Sequence, residues 1–392
     1  MDINILDSLS WLGSYLIPFL FVLTVVVFFH ELGHFLVARM CGVRILVFSV
    51  GFGPELFGFN DRYGTRWKFA AVPLGGYVKF FGDENAASVP DQAAAAAMNS
   101  SEREVSFVYQ RLRNRVAIVA AGPIANFILA IVIFAAIFSL YGKPSMSARV
   151  DSIQPESAAA VAGFEPGDVV VEIDGRSIAT FGDMQRAISI NAGQTLDVVI
   201  ERGGVRKNLK ATPTLREIKD NFGNVHRIGV LGISRSMAAT DNQLQTYGPL
   251  TAIRMGVEES WFIVERTMSY LGGVVVGREA ADQVGGPARI AQVAGQVWQS
   301  GHSSGGAGVA AVGLFNLAAV LSVSIGLLNL FPVPLLDGGH LLFYGIEGLR
   351  GRPLSERAQE LGFRIGLALV AMLMIFASYN DILHFFPRLR AS

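Results

Sequence analysis

The sequence holds a single cysteine, Cys41, in 392 residues. No intrachain disulfide can form and a metal site built on several cysteines is excluded, so any bound metal must take histidine and carboxylate ligands. Charge is scarce as well. Asp, Glu, Lys and Arg make up 16% of the chain, against roughly 25% in a soluble domain, and they balance to a formal net charge of zero. A neutral chain offers no basic footprint for nucleic acid. What fills the composition instead is apolar: 51% of residues are hydrophobic and the mean hydropathy is +0.42. This is the composition of an integral membrane protein, with room for several spans and one soluble domain of ordinary size.

A helix needs about 20 apolar residues to cross the hydrocarbon core. Four stretches qualify, near residues 12–37, 116–141, 310–331 and 361–380. The first is not read as a cleaved signal peptide, because its N-terminal flank is acidic (Asp2, Asp7) and no small-residue cleavage site follows. A fifth stretch, 247–273, is interrupted by Arg254, Glu258, Glu259, Glu265 and Arg266, a pattern suited to an amphipathic helix on the membrane surface. The stretch 38–115 carries Arg39, Arg44, Arg66, Lys68, Arg111 and Arg115 among other basic residues, while the N-terminal flank has none. The positive-inside bias makes that loop cytoplasmic. Arg350, Arg352 and Arg357 agree, and Arg388 and Arg390 in the tail disagree mildly. Residues 142–309 are then external, periplasmic in a Gram-negative bacterium.

Within the external segment, "ARVDSIQPESAAAVAGFEPGDVVVEIDGRSIATFGDMQRAI" predicts strand, short helix, turn, strand, turn and helix, followed by the strand-like runs "TLDVVIERGG" and "VRKNLKATPT". The fragment "GFEPGDVVVEIDGRSI" resembles the PDZ domains of bacterial proteases. That resemblance implies a groove that takes a peptide as an added strand, with residues 144–149 as the loop for a peptide C-terminus. On the cytoplasmic side, "RILVFSVGFGPELFGF" and "TRWKFAAVPLGGYVKFFGD" read as short strands joined by tight turns, nearly as apolar as a span. Non-helical backbone at membrane depth must be buried in protein or line a cavity, so these strands are expected to dip in beside the first span. The low-complexity run "ENAASVPDQAAAAAMNSSER" reads as a flexible loop.

The first span ends in "FFHELGH", residues 28–34. Ionisable groups in a spanning helix are expensive and functional by default. Positions i and i+4 share a helix face, so His30 and His34 can aim at one ion, with Glu31 one residue round. H-E-x-x-H on a helix is a zinc motif in which the glutamate is general base and not ligand. The plainer alternative is a pair of buried, hydrogen-bonded histidines. A catalytic zinc site has three protein ligands and one open position. His226, His302 (in a glycine-rich external loop) and His384 are placed on the wrong side of the membrane. The end of the third span, "NLFPVPLLDGGHLLF", offers Asp337, with His340 as its rival. Ser139, Ser322 and Ser324 have no histidine to activate them, and the paired repeats of a transporter are missing.

"HELGH", "AGPIANF" and "NLFPVPLLDGG" on successive spans, with the PDZ-like segment, resemble the bacterial site-2 proteases of the RseP type over nearly the whole chain. "GGPARIAQVAG" has a counterpart there too. The chain has one PDZ-like segment where enteric relatives of that type carry two in tandem. The resemblance implies an intramembrane zinc endopeptidase of the bacterial inner membrane. It implies His30, His34 and Asp337 as zinc ligands, Glu31 as catalytic base, and Asn329, Pro332 and Pro334 as substrate-positioning residues; the strands around Gly51 and Gly53 offer an edge for an unwound substrate. It also implies substrates that are single-span membrane proteins already trimmed outside, with an anti-sigma factor or signal-peptide remnants as the candidates. Peptide C-termini at the PDZ domain and the lipid bilayer are the other partners. A catalytically silent PDZ-bearing adaptor is the alternative, at odds with an intact motif. The expected fold is an α-helical membrane protein with four transmembrane helices, a membrane-associated β-rich segment and one external α+β PDZ domain. Its parts are a first helix with the motif (1–42), a cytoplasmic-side β-rich segment and loop (43–115), a second helix (116–142), the PDZ domain (143–235), external amphipathic helices (236–308), a third helix with the L-D-G motif (309–340), and a cytoplasmic loop, fourth helix and tail (341–392).

Overall fold

The computed structural model describes residues 5–82, 97–219, 225–236, 243–277, 281 and 284–385. It is mostly helical, and among the described residues four helices are long and apolar enough to cross a membrane: Gly13–Met40, Leu112–Leu140, Pro287–Asn329 and Arg357–Phe385. The chain forms two compact units, Met1–Phe134 with Val284–Ser392, and Ala135–Gln283.

The first unit opens with α1 (Ile5–Met40), followed by an antiparallel pair, β1 (Ile45–Asn60) and β2 (Arg66–Phe80). Half of this hairpin is buried: Phe48, Val50 and Val78 pack in one cluster with Phe35 and Ala38 of α1. The other half exposes Phe52, Leu56, Phe57, Phe59 and Leu74. Between the halves the ladder bulges at Gly51 and Gly53, both in the left-handed region that glycine tolerates. At the tip, Asp61 accepts from Arg39 Nη2 at 2.5 Å and from the Thr65 and Tyr63 backbone N–H groups. Burial pushes the Asp61 carboxyl up, but these donors outweigh it and hold the pKa at about 2. Residues 83–96, most of the low-complexity run, lie outside the described residues. The end of that run is ordered as helix α2 (Ser100–Val105), which a capping box of Asn99 and Glu102 starts. Helix α3 (Leu112–Leu140) follows.

The second unit contains β3 (Lys143–Ser145), β4 (Ser152–Ile153), α4 (Ala158–Ala162), β5 (Val169–Ile173), β6 (Arg176–Ser177), α5 (Phe181–Ser189), β7 (Leu196–Arg202), β8 (Val205–Ala211), β9 (Thr214–Lys219), β10 (Val225–Val230), β11 (Ile233–Ser234), β12 (Gln243–Gln245) and α6 (Pro249–Val275). The antiparallel sheet β6-β5-β7-β8 packs Val170, Ile173, Val198 and Ile200 against Phe181, Met184 and Ile188 of α5. Residues 144–149 are not a free loop. Gln243–Gln245 pairs with Lys143–Ser145, Phe181 N–H donates to Met146 O at 2.8 Å, and Val170 N–H to Ala148 O at 2.9 Å. Four of the five charges that interrupt the run 247–273 are paired within this unit, Arg254 with Glu258 at 3.4 Å along the helix and two with other elements. Glu259 meets Arg186 at 2.6 Å and Glu265 meets Arg176 at 3.1 Å. The face of α6 with Leu250, Val257, Trp261, Met268 and Val275 is exposed.

Back in the first unit, α7 (Pro287–Asn329) folds on itself. Gly305 and Gly306 leave helical geometry, Gly306 with φ 77°, and the arms close up so tightly that a Cβ on Gly301 would lie 2.5 Å from Ala310 Cα. Residues 287–304 are therefore a helical arm carrying His302, which the sequence placed in a loop. The run of serines and glycines hid a helix whose small side chains permit this approach. α8 (Asp337–Arg350) and α9 (Glu356–Phe385) complete the unit, so the loop expected between the last two spans is mostly helix. Asp381 of α9 caps the first arm of α7: its carboxylate accepts from Gly286 N at 2.8 Å, Ala288 N at 3.1 Å and Arg289 N at 3.2 Å. Asp381 is 4% exposed, so its removal strands three donors. Asp381→Ala should cost about 1–3 kcal/mol, read as a lower thermal midpoint in detergent, with Asp381→Asn between it and wild type. An unchanged midpoint for the alanine variant would refute this capping role.

Candidate metal centre

On α1, one turn separates His30 from His34. The helix is unbroken through the motif, and their rings lie edge to face with centroids 4.8 Å apart. The two Nε2 atoms are 3.3 Å from one another. Asp337 comes from the far end of the chain. After α7 ends at Asn329, a short loop bonds Val333 N to Phe331 O at 2.7 Å and Leu336 N to Val333 O at 2.9 Å. Leu335 takes φ 114°, a position costing a leucine on the order of 1–3 kcal/mol. Gly338 and Gly339 sit so close under this loop that a Cβ on either would strike the Phe331 or Val333 carbonyl. The result puts Asp337 Oδ2 3.2 Å from His30 Nε2 and Oδ1 3.5 Å from His34 Nε2.

Among the described residues, His30, His34 and Asp337 are the group of three that can hold a metal ion, with ligand atoms all within 4.8 Å of one another. Three further observations fit an ion. Asp337 Oδ2 is buried and accepts no hydrogen bond of good geometry. His34 Nδ1 donates to Ile118 O at 2.8 Å, which leaves its Nε2 lone pair facing the other ligands. Opposite that atom, α3 presents Gly122, where a Cβ would collide with His34 Nε2 and lie 2.9 Å from His30 Cε1. Two imidazoles and one carboxylate match a catalytic zinc site with an open position.

The cluster forms part of the wall of a cavity of about 200 Å³, with Glu31, Asn329 and His340. Glu31 thus shares the cavity with the candidate ligands, and Gly76 of β2 approaches it, a Cβ there falling 3.3 Å from Glu31 Cγ. Asn329 Nδ2 lies 3.4 Å from His30 Nε2. His340 is on the wall but outside the three-residue group; its ring packs on Phe363 at 5.5 Å. Pro332 and Pro334 shape the loop before Asp337 and do not line the cavity. Gly51 and Gly53 do not line it either; Gly76, Tyr77 and Val78 of β2 do. Asn126 of α3, given no role from the sequence, is fully buried with Nδ2 3.3 Å from His30 Nδ1. An asparagine inside an apolar run was the available signal.

Spanning-length helices that bring two histidines and an aspartate together on a cavity wall, with a glutamate beside them, define a membrane metallohydrolase. Comparison with known proteins narrows the class. The model of "Peptidase family M50" matches residues 18–373. A Rhizobium meliloti protein named "Putative zinc metalloprotease" is 53% identical over 379 residues, covering 96% of this chain and 98% of that one. "Metalloprotease MmpA" of Caulobacter vibrioides is 42% identical over 380 residues, 94% and 95% of the two chains. The PDZ domain of the SdrC-like protein from Listeria monocytogenes aligns with 24% of this chain and 88% of its own at 20% identity and a TM-score of 0.18. The chain belongs to peptidase family M50, and it is a membrane metalloprotease.

Proposed function

We propose that the protein is an intramembrane zinc endopeptidase that cuts transmembrane segments of single-span membrane proteins after their external parts have been trimmed. The observation that carries this reading is the His30, His34 and Asp337 cluster on one cavity wall with Glu31, on helices long and apolar enough for a bilayer. His30 Nε2, His34 Nε2 and a carboxylate oxygen of Asp337 hold zinc. Zinc, when bound, supplies Lewis-acid activation of water and of the scissile carbonyl. Glu31 takes the proton from the attacking water and passes it to the leaving amine. Asn329 donates toward the substrate backbone, and the Pro332 and Pro334 loop fixes Asp337 beside it. The apolar, half-exposed hairpin around Gly51 and Gly53 holds the substrate extended, because a helical substrate hides its carbonyls in its own hydrogen bonds.

In this reading the N-terminus lies outside, the hairpin and the zinc cleft face the cytoplasm, and residues 143–235 are an external PDZ domain, in a bacterial inner membrane. The basic residues between the first two spans support that orientation. An external PDZ domain takes exposed peptide C-termini or screens bulky ectodomains.

The test is metal content and cleavage in purified variants. Asp337→Ala should lose both zinc and cleavage of a trimmed single-span substrate, while His340→Ala should keep its zinc. The reverse pattern would move the third ligand to His340. Wild-type protein that holds zinc yet leaves such a substrate intact would overturn the endopeptidase reading.

A further inference from the structure

A histidine ligates through one ring nitrogen only if the other carries the proton, and the partner of that other nitrogen decides which. For His34 the partner is the Ile118 carbonyl, 2.8 Å from Nδ1. A carbonyl only accepts, so Nδ1 is protonated and Nε2 is free. For His30 the partner is Asn126, whose amide nitrogen stands 3.3 Å from Nδ1, while Asn126 Oδ1 is buried with no hydrogen-bond partner. The two ends of an amide have the same shape and differ only in donating or accepting. With nitrogen toward His30, Nδ1 would be the acceptor and Nε2 would carry the proton, aimed at His34 Nε2 and Asp337 and unable to ligate. Turned by half a rotation, the amide puts Oδ1 at Nδ1, accepts its proton and frees the Nε2 lone pair. The surroundings of Nε2 suit the second state once a cation is present: Asp337 Oδ2 at 3.2 Å and the His34 Nε2 lone pair at 3.3 Å are ligand atoms converging on the same point, and an ion there needs the His30 Nε2 lone pair free.

We infer that Asn126 is a positioning residue for the metal centre: its amide oxygen accepts from His30 Nδ1–H and fixes the tautomer in which His30 Nε2 faces the ion. The inference rests on the metal reading given above. Helix α3 thereby sets both histidines of α1, His34 through a backbone carbonyl and His30 through a side chain. Asn126 is itself held: it is fully buried, its backbone carbonyl accepts from Ser322 Oγ at 2.9 Å, and α7 packs so close that a Cβ on Gly326 would lie 3.2 Å from Asn126 Cβ. An amide fixed in this way has little freedom except rotation about its own axis.

The experiment follows zinc release to a chelator from the purified full-length protein. Three forms are compared: wild type, Asn126→Leu, which keeps the volume and loses the acceptor, and Asn126→Asp, which keeps an acceptor oxygen. Loss of an outer partner of a ligating histidine typically weakens metal binding by about 10–100-fold. The leucine variant should show a loss of that size and the aspartate variant should hold zinc within a few-fold of wild type. If packing alone mattered, leucine would hold zinc and aspartate would not, and that pattern would overturn the inference, as would equal loss in both. Should the leucine variant lack a thermal transition, Asn126→Ala, which removes the acceptor without adding bulk, takes its place with the same expectation. Wild-type protein that purifies without zinc and takes up none from solution would instead overturn the metal reading, and this inference with it, by a separate signature.

Discussion

Glu31→Gln should purify with its full complement of zinc and cut substrate slower by about two to four orders of magnitude, the usual contribution of a positioned general base. The expectation follows from where Glu31 stands. It is one residue from His30 on α1, hence turned away from the face that carries both Nε2 atoms, yet it lines the same cavity as the three candidate ligands. It is not among the atoms grouped for the metal, so the metal has no need of it. Gln has the same length and branching, and the close approach of Gly76 to the Glu31 Cγ holds either side chain alike. What the amide lacks is the capacity to take a proton from water and to return it to the leaving amine. Zinc content and single-turnover cleavage, measured on one preparation, separate the roles. A variant that loses zinc would make Glu31 a ligand, and one that still cuts within tenfold of wild type would hand the base to another residue. Glu31→Asp, which withdraws the carboxylate by one methylene, should retain zinc and recover only part of the rate.

The part of this centre that lies on one helix was legible in the sequence. The i and i+4 spacing of His30 and His34 needs nothing beyond helical geometry, and the apolar run around it guarantees the helix. The L-D-G-G run was legible for a related reason. Glycines next to a chemically useful aspartate signal close backbone approach, and Gly338 and Gly339 lie under the carbonyls of Phe331 and Val333. The features that escaped depend on elements far apart in the chain. Nothing local to β1 and β2 tells which end of the hairpin borders the cavity, and it is Gly76 to Val78 that line it, not Gly51 and Gly53. The helical arm 287–304 was read as amphipathic helix and glycine-rich loop, because its stability comes from contact with its own second arm and from the Asp381 cap. Glu259 and Glu265 looked like interruptions of an apolar run until their arginine partners, 73 and 89 residues earlier, were placed beside them. Asn126 gives a signal, as an asparagine inside an apolar run, but which side chain it meets, like the closeness of Gly122 to the histidine rings, depends on a neighbouring helix far away in the chain.

Gly122→Ala should empty the metal centre without altering any ligand. The glycine faces the tips of both histidine rings, and the added methyl would occupy space now taken by His34 Nε2 and press on His30 Cε1 at 2.9 Å. Relief by moving α3 away from α1 is costly, because the helices also meet at Gly33, where a Cβ would lie 2.7 Å from Ala125 Cβ, and because His34 Nδ1 is tied to the Ile118 carbonyl. Relief by rotating the His34 ring breaks that same bond and turns Nε2 from the site. Overpacking of this kind typically costs about 1–3 kcal/mol, which a folded domain of 5–15 kcal/mol survives. The variant is therefore expected to fold, with a lower thermal midpoint, and to bind little zinc. Gly13→Ala on α1, where a Cβ meets nothing within 4 Å, is the control and should keep both metal and midpoint. Full zinc occupancy in Gly122→Ala would mean that α1 and α3 can part at this point, and that the tight approach of the helices is not what shapes the metal site.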